Sequence, residues 1–339
     1  MAIITIIGAG MMGSAMSFPA RDNGHEVRLV GTPLDRGIID RLRTDRYHPN
    51  MKRTLPDGVR FYQIEEMEEA LTNAELLIGG VSSFGVDWFA ENVLSVIPSA
   101  LPVLSITKGL HGETDGTLEP FPAYYHKKTG RTELSLNCVG GPCTSYELAD
   151  RNQTTVAFCG DELSLLERFK KLLATPYYHI TPTVDVRGLE TAVALKNAYA
   201  LGVSLAIGLA EKRDGEGCVL QYNPQAALFG QAIKEMRALI AHCGGTPEIL
   251  PFGAGDLYVT IFGGRTRKIG TLLGRGIPYE TAREMLSGVT LESIAIAGVV
   301  GRAIELSPVG FARYPLLHLV YDLINGRERE IPWEAFTTL

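Results

Sequence analysis

Cysteine is scarce. Cys138, Cys143, Cys159, Cys218 and Cys243 are scattered over 339 positions with no CxxC pair. So sparse and odd a set excludes a disulfide framework, offers no zinc site and fits reduced thiols in a cytoplasmic protein. Charge of one sign is missing too: the formal net charge is only -6, with charged residues at 21%. That balance argues against a nucleic-acid or membrane-surface partner, a local basic patch aside. No signal peptide is visible ahead of the first strand. The most apolar segment, Ala192 to Ala210, carries Lys196 and Asn197 inside it, so it reads as a core helix and not as a membrane span. There is no internal repeat, no low-complexity tract, no HExxH and no Ser/His/Asp set, and no cysteine has an obvious base partner.

What the chain does have begins at once. Ile3 to Ile7 has the composition of a buried strand, and Gly8-Ala9-Gly10-Met11-Met12-Gly13 follows it directly. A helix-like segment continues from Ser14, and His25 to Val30 reads as a second strand. Strand, GxGxxG, helix and strand within about thirty residues make a dinucleotide-binding unit. Gly8 permits the tight turn, Gly10 lets the backbone approach a pyrophosphate, and Gly13 lets the helix lie close on the sheet. The N–H groups at the helix start then face the phosphates. A tight turn in another doubly wound protein, or a methyltransferase turn, is the competing reading.

Gly31 and Thr32 stand where NAD-specific folds usually place an acid for the ribose 2′-OH, and Asp35 comes late. Nothing there repels a 2′-phosphate. Thr32 has a hydroxyl to donate to one, and Arg36 is either its counter-charge or a solvated surface residue. This favours NADP over NAD as the cofactor. Asp45 to Pro56 is polar and reads as a loop. Glu75 to Val81 and Leu101 to Ile106 read as strands that end at Ser82 and at Lys108, and Leu134 to Val139 leads into Gly140-Gly141-Pro142-Cys143-Thr144-Ser145. Ligands of open α/β sheets bind beyond the carboxyl ends of strands, which puts Ser82 and Lys108 on the functional edge. Strands stop near Asp185, and everything after it reads as helix and turn. The boundary near Val186-Arg187 divides the chain into a dinucleotide-binding domain over 1–187 and a helical domain over 188–339.

Gly188 to Lys212 is apolar on nearly every face and should be buried. Lys196 and Asn197 are neighbours on it, about a hundred degrees apart, so both side chains can reach one place. A buried lysine must be paired or have its pKa lowered, so Lys196 is either an acid–base group or a structural partner of a carboxylate such as Asp256. Phe252 to Asp256 reads as a turn, and Gly263-Gly264 as a glycine turn before the cationic Arg265-Thr266-Arg267-Lys268. Arg265 offers a fork for phosphate or carboxylate; a solvated basic loop is the alternative.

Taken in order, these segments resemble the NAD(P)-dependent glycerol-3-phosphate dehydrogenases. The segments are Gly8 to Ala15, Ser105 to Leu110, Gly140 to Ala149, Gly188 to Ala200, Asn223 to Met236, Gly253 to Gly270 and Val289 to Ala297. The resemblance implies an α/β fold, with an N-terminal Rossmann-type doubly wound sheet and an all-α C-terminal domain. It makes Lys196 similar to the family's catalytic lysine and Lys108 to its second active-site lysine. Asp256 would orient Lys196. Thr260 matches a polar residue around the substrate; Asn197, Arg265 and Thr266 match positions at the phosphate end. Met11, Met12, Ser145, Arg265 and Glu292 join the three glycines, Thr32, Arg36 and Ser82 as cofactor contacts. Cys143, Thr266 in place of an Asn, and Phe229-Gly230 depart from the family pattern, as do Ser293 and Ala295. These changes leave the exact polyol phosphate open.

The expectation is a cytoplasmic oxidoreductase that moves a hydride between NADP or NAD and a small phosphorylated polyol, with no metal, no nucleic acid and no membrane span. Whether it works as a homodimer stays open. A 2-keto acid or other sugar-phosphate dehydrogenase, or a catalytically silent redox sensor, is the alternative.

Overall fold

The computed structural model describes residues 1–337. Its contacts divide the chain into two units. One comprises Met1–Lys108 and Phe121–Val186; the other comprises Gly109–Pro120 and the chain from Arg187 onward.

The first unit is built on β1 (Ile3–Ile7), β2 (Glu26–Val30), the two-residue pair β3 (Tyr47–His48) and β4 (Arg53–Thr54), β5 (Val59–Tyr62), β6 (Leu76–Gly79) and β7 (Val103–Ser105). Strands β8 (Leu110–Gly112) and β9 (Leu118–Pro120) lie in the other unit, and β10 (Leu136–Gly140), β11 (Thr154–Cys159) and β12 (Tyr178–Thr183) complete the sheet. Its order is β12-β11-β10-β7-β6-β1-β2-β5. All neighbours are parallel except β10 and β11. An unbroken apolar run such as Ile3–Ile7 suits a strand covered on both faces. Two clusters do cover it: Ile4, Ile6, Val27 and Leu29 belong to one, and Ile7, Val30, Leu77 and Phe89 to the other. The chain runs outward from β1 through β2 and β5, then returns to place β6 on the opposite side of β1. The strand order therefore switches between β1 and β6, where ligand crevices of such sheets open.

The polar stretch 45–56, read as a loop, carries the β3–β4 pair with His48 opposite Arg53. Three residues tie it down: His48, Met51 and Leu55 are buried.

In the second unit the long helix Val186–Asp214 is the spine. Its length and composition would suffice to cross a membrane, but 83% of its most apolar eighteen-residue window is buried inside the fold. Glycines let neighbouring helices touch it backbone to backbone. A Cβ on Gly270 would lie 2.6 Å from the Leu201 carbonyl oxygen, and one on Gly274 would lie 2.2 Å from that of Leu205. Close approach of this kind is what a missing Cβ permits. The Phe252–Asp256 stretch, expected as a turn, lies within the helix Leu250–Ile261. Pro251 sits in its first turn, and Gly253 packs against Ala192 of the long helix. Tertiary contact here overrides glycine's poor helix propensity. Gly264, at φ +78°, opens the helix Gly264–Gly274, so Arg265 and Thr266 belong to its first turn.

Glu235, on the helix Tyr222–His242, ties three helices together. Its carboxylate accepts from Tyr199 of the long helix at 3.0 Å, from Gln231 at 2.8 Å, and from the Leu316 and Leu317 N–H groups at 2.7 and 2.9 Å. The last two begin the helix Pro315–Ile324, whose first N–H groups need outside acceptors. Burial still pushes the Glu235 carboxyl up to about 7, against the pull of these donors. The strand pair β8–β9 packs on the helix Glu292–Leu306, where a Cβ on Gly112 would meet Val299 at 2.7 Å.

Candidate active site

In the first unit the parallel strands β1, β6, β7 and β10 all end on one edge of the sheet. The GxGxxG turn follows β1, Ser82 follows β6, Lys108 follows β7, and Gly141 to Ser145 follows β10. Gly8, at φ +112°, has no room for a side chain, because a Cβ would stand 2.6 Å from the Gly80 carbonyl carbon and oxygen. A Cβ on Gly13 would fall 2.0 Å from the Gly8 carbonyl oxygen. Around Gly10 there is nothing within 4 Å of that position. Two glycines are thus required by packing, and the third leaves space at the start of the helix Met11–Ala15. This is the shape a pyrophosphate needs, so the turn fits a dinucleotide. Met11 is exposed, while Met12 packs against the core. The helix Ser145–Ala149, with Ser145 buried, packs beside Met11–Ala15. Lys108 donates to the Gly141 carbonyl at 2.8 Å, and Cys143 is half-buried and outside any disulfide among the described residues.

The turn after β2 differs from the expectation. Asp35 folds back so that its Oδ2 accepts from the Thr32 N–H at 2.9 Å, the Thr32 hydroxyl at 2.8 Å and the Ala9 N–H at 3.1 Å. The Thr32 hydroxyl therefore donates its hydrogen bond to Asp35 and is not turned outward to a 2′-phosphate. Arg36 pairs with Glu65, both more than half exposed, and an exposed pair of this kind holds weakly. Sequence reasoning missed His48 altogether. Its Nε2 lies 2.9 Å from the Ala9 carbonyl oxygen, and its Nδ1 accepts from the Met51 N–H at 3.1 Å. One histidine in a polar stretch gives no signal of a contact made across thirty-nine positions.

In the second unit, every residue of the long helix from Gly188 to Gly208 is buried except Lys196 and Asn197. Lys196 Nζ donates to Asp256 Oδ1 at 2.6 Å; the two side chains are 16% and 1% exposed. The Thr260 hydroxyl, one turn beyond Asp256, donates to the Asp256 carbonyl at 2.7 Å. Thr266 is buried, whereas Arg265 is exposed and has no ion-pair partner among the described residues. Gly263 and Gly264, just before it, have open space beside them. Phe229 packs against the core, and Gly230 faces open space. Glu292 opens the helix Glu292–Leu306, with Ser293 wholly buried behind it. A lysine held by a buried carboxylate, at the gap in the buried stretch from Gly188 to Gly208, is suited to move a proton. A guanidinium with no ion-pair partner among the described residues, next to bare backbone, is suited to hold an anion.

Comparison with known proteins bears on both units. Residues 3–164 match the model of the NAD-dependent glycerol-3-phosphate dehydrogenase N-terminus, and residues 185–331 match that of its C-terminus. An NADP(+)-dependent glycerol-3-phosphate dehydrogenase of Archaeoglobus fulgidus is 35% identical over 324 residues, covering 95% of each chain. A glycerol-3-phosphate dehydrogenase [NAD(P)+] of Shouchella clausii is 29% identical, covering 98% of this chain and 94% of its own. A crystal structure of glycerol-3-phosphate dehydrogenase from Coxiella burnetii superposes with a TM-score of 0.79 at 22% identity, over 98% of this chain and 97% of that one, and so shares the fold. With both halves matched and a relative above 30% identity along nearly its whole length, the chain belongs to the NAD-dependent glycerol-3-phosphate dehydrogenase family.

Proposed function

We propose that this chain is an NAD(P)-dependent oxidoreductase acting on a small phosphorylated polyol, with sn-glycerol 3-phosphate and dihydroxyacetone phosphate as the leading pair. The observation that carries the reading is the gap in the long helix, where Lys196 meets the buried Asp256 at 2.6 Å. When bound, the nicotinamide supplies or accepts the hydride. Lys196 gives a proton to the substrate oxygen in reduction and takes it back in oxidation. Asp256 holds the ammonium in place. Lys108 stabilises the developing negative oxygen. Arg265 takes the phosphate with its fork, and Asn197, Thr260 and Thr266 supply neighbouring hydrogen bonds. The glycine turn, with Met11, Met12, Ser82, Ser145, Arg265 and Glu292, holds the dinucleotide. Residues 1–187 carry most of that task, and residues 188–339 supply most of the groups for the substrate.

For the choice between cofactors, support for NADP comes from the missing acid after β2 and from the Archaeoglobus relative, which is named NADP(+)-dependent. With Thr32 engaged by Asp35, the counter-charge falls to Arg36, which must leave Glu65 to act. Five cysteines, odd in number and in no disulfide among the described residues, support a reducing compartment such as the cytoplasm.

The test is turnover of dihydroxyacetone phosphate with NADPH and NADH, against a panel of 2-keto acids, for wild type and Lys196→Met. Wild type should reduce dihydroxyacetone phosphate. Lys196→Met should lose about 10²–10⁴-fold in kcat while still folding and binding NADPH. Turnover of keto acids alone would overturn the substrate, and near-normal kcat in Lys196→Met would end the assignment of the lysine.

A further inference from the structure

We propose that His48 and Asp35 are positioning residues of the dinucleotide turn, gripping Ala9 from both sides so that the glycine turn is set before any cofactor arrives. The inference rests on the dinucleotide reading above and assigns a task to two residues that motif reasoning leaves idle.

Ala9 is the residue between the first two glycines of GxGxxG, and it is completely buried. Its N–H donates to Asp35 Oδ2 at 3.1 Å. Its carbonyl accepts from His48 Nε2 at 2.9 Å and from the Ser14 hydroxyl at 3.3 Å. The His48 ring is fully buried, and its Nδ1 already accepts from the Met51 N–H. That acceptance fixes the tautomer with hydrogen on Nε2, so the ring donates to Ala9. Burial also lowers the ring's proton affinity and keeps it neutral.

The geometry gives the grip a consequence. Ala9 C=O and Gly10 N–H belong to one planar trans peptide and point in opposite directions. Pinning the carbonyl onto His48 therefore turns the Gly10 N–H away from that ring. This N–H stands at the N-cap of the helix Met11–Ala15, beside the open space at Gly10. Asp35 adds a second constraint, since the oxygen that holds Ala9 also holds the Thr32 N–H and hydroxyl. The turns after β1 and β2 are thereby joined through one carboxylate oxygen. An acid three positions beyond Thr32 faces inward as a clamp.

Two amide variants separate the clamp from the fold of the 45–56 stretch. Asn at 48 keeps an oxygen near the Nδ1 position for Met51 but has nothing to reach Ala9. Gln at 48 carries an amide nitrogen out to where Nε2 stood. NADPH affinity is measured by fluorescence titration, and exchange of the Ala9 and Gly10 amides is followed without cofactor. His48→Asn should weaken NADPH about tenfold and speed that exchange, while kcat at saturating NADPH shifts by less than about threefold. His48→Gln should recover most of the affinity, and Asp35→Ala should weaken NADPH in the same direction as His48→Asn. Wild-type affinity in His48→Asn would overturn the proposal. So would equal loss of affinity and melting temperature in the Asn and Gln variants, the mark of a residue that only supports the fold. A wild-type protein that binds neither NADPH nor NADH would instead overturn the dinucleotide reading beneath it.

Discussion

Arg265 and Lys196 show two ways in which one charge is made useful. Lys196 is sheltered and held by a partner; Arg265 stands exposed on the first turn of its helix with open backbone before it. If Arg265 holds the substrate phosphate, Arg265→Ala should raise KM for the phosphorylated substrate by the equivalent of about 2–5 kcal/mol. Arg265→Lys should rescue poorly, because a point charge lacks the planar fork. An unchanged KM in Arg265→Ala would place the phosphate elsewhere. Lys196 was legible in the sequence because a lone ammonium in an apolar helix contradicts its surroundings. His48 was not, because the contact that gives its ring a task is with Ala9, thirty-nine positions away, and its local bond to the Met51 N–H gives no sign of that contact.

At the scale of the helix, Gly253 decides how close two elements come. A Cβ there would lie 2.8 Å from the Ala192 carbonyl oxygen and 2.9 Å from its Cβ. Asp256 is three residues on from Gly253 and Lys196 four on from Ala192, so the pair meets about one turn beyond that contact. Gly253→Ala should push the helices apart, lower the melting temperature and reduce kcat. Gly298, inside the helix Glu292–Leu306, has nothing within 4 Å of its Cβ position. Gly298→Ala should therefore stabilise by about 0.5–1 kcal/mol, the ordinary gain of alanine over glycine in a helix. Equal effects of the two changes on melting temperature would rule out the packing role of Gly253. Here local chemistry misled the sequence reading: Phe252-Gly253-Ala254-Gly255 resembles a turn by composition, and only the neighbouring helix makes it helical.

For the whole molecule, stability against pH should carry the mark of Glu235. Its folded pKa, about 7, lies above its ordinary 4.5. The neutral form is then favoured by the fold, and the stability it contributes is complete below pH 4.5. As pH rises towards 7, the unfolded chain ionises first and that contribution fades, by up to about 3 kcal/mol. Histidines with lowered pKa, His25, His48 and His318, act in the opposite sense and cost stability as pH falls. Glu235→Gln should remove the part of the slope due to the carboxyl, so the gap in melting temperature between wild type and variant should narrow from pH 5 to 7.5. A gap that is constant or widens over that range would show Glu235 to be ionised throughout. At this scale the alternation of strands and helices was legible, because unbroken apolar runs such as Ile3–Ile7 announce buried strands. The antiparallel join of β10 to β11 was not, since a strand's sequence does not name its neighbour.

Nor did it name the destination of Gly109–Pro120. That stretch leaves the sheet after β7, pairs with itself, and puts Leu110 and Leu118 against the second unit's core before the chain resumes the first. Neither unit is thus a continuous sentence in the gene. Recombination that exchanged everything downstream of residue 187 would bring a helical bundle to a strand pair inherited from another parent. Such a chimera would inherit a mismatch where Gly112 meets Val299, two residues drawn from opposite sides of the splice. This chain could trade its two units cleanly only by trading a short internal passage at the same time.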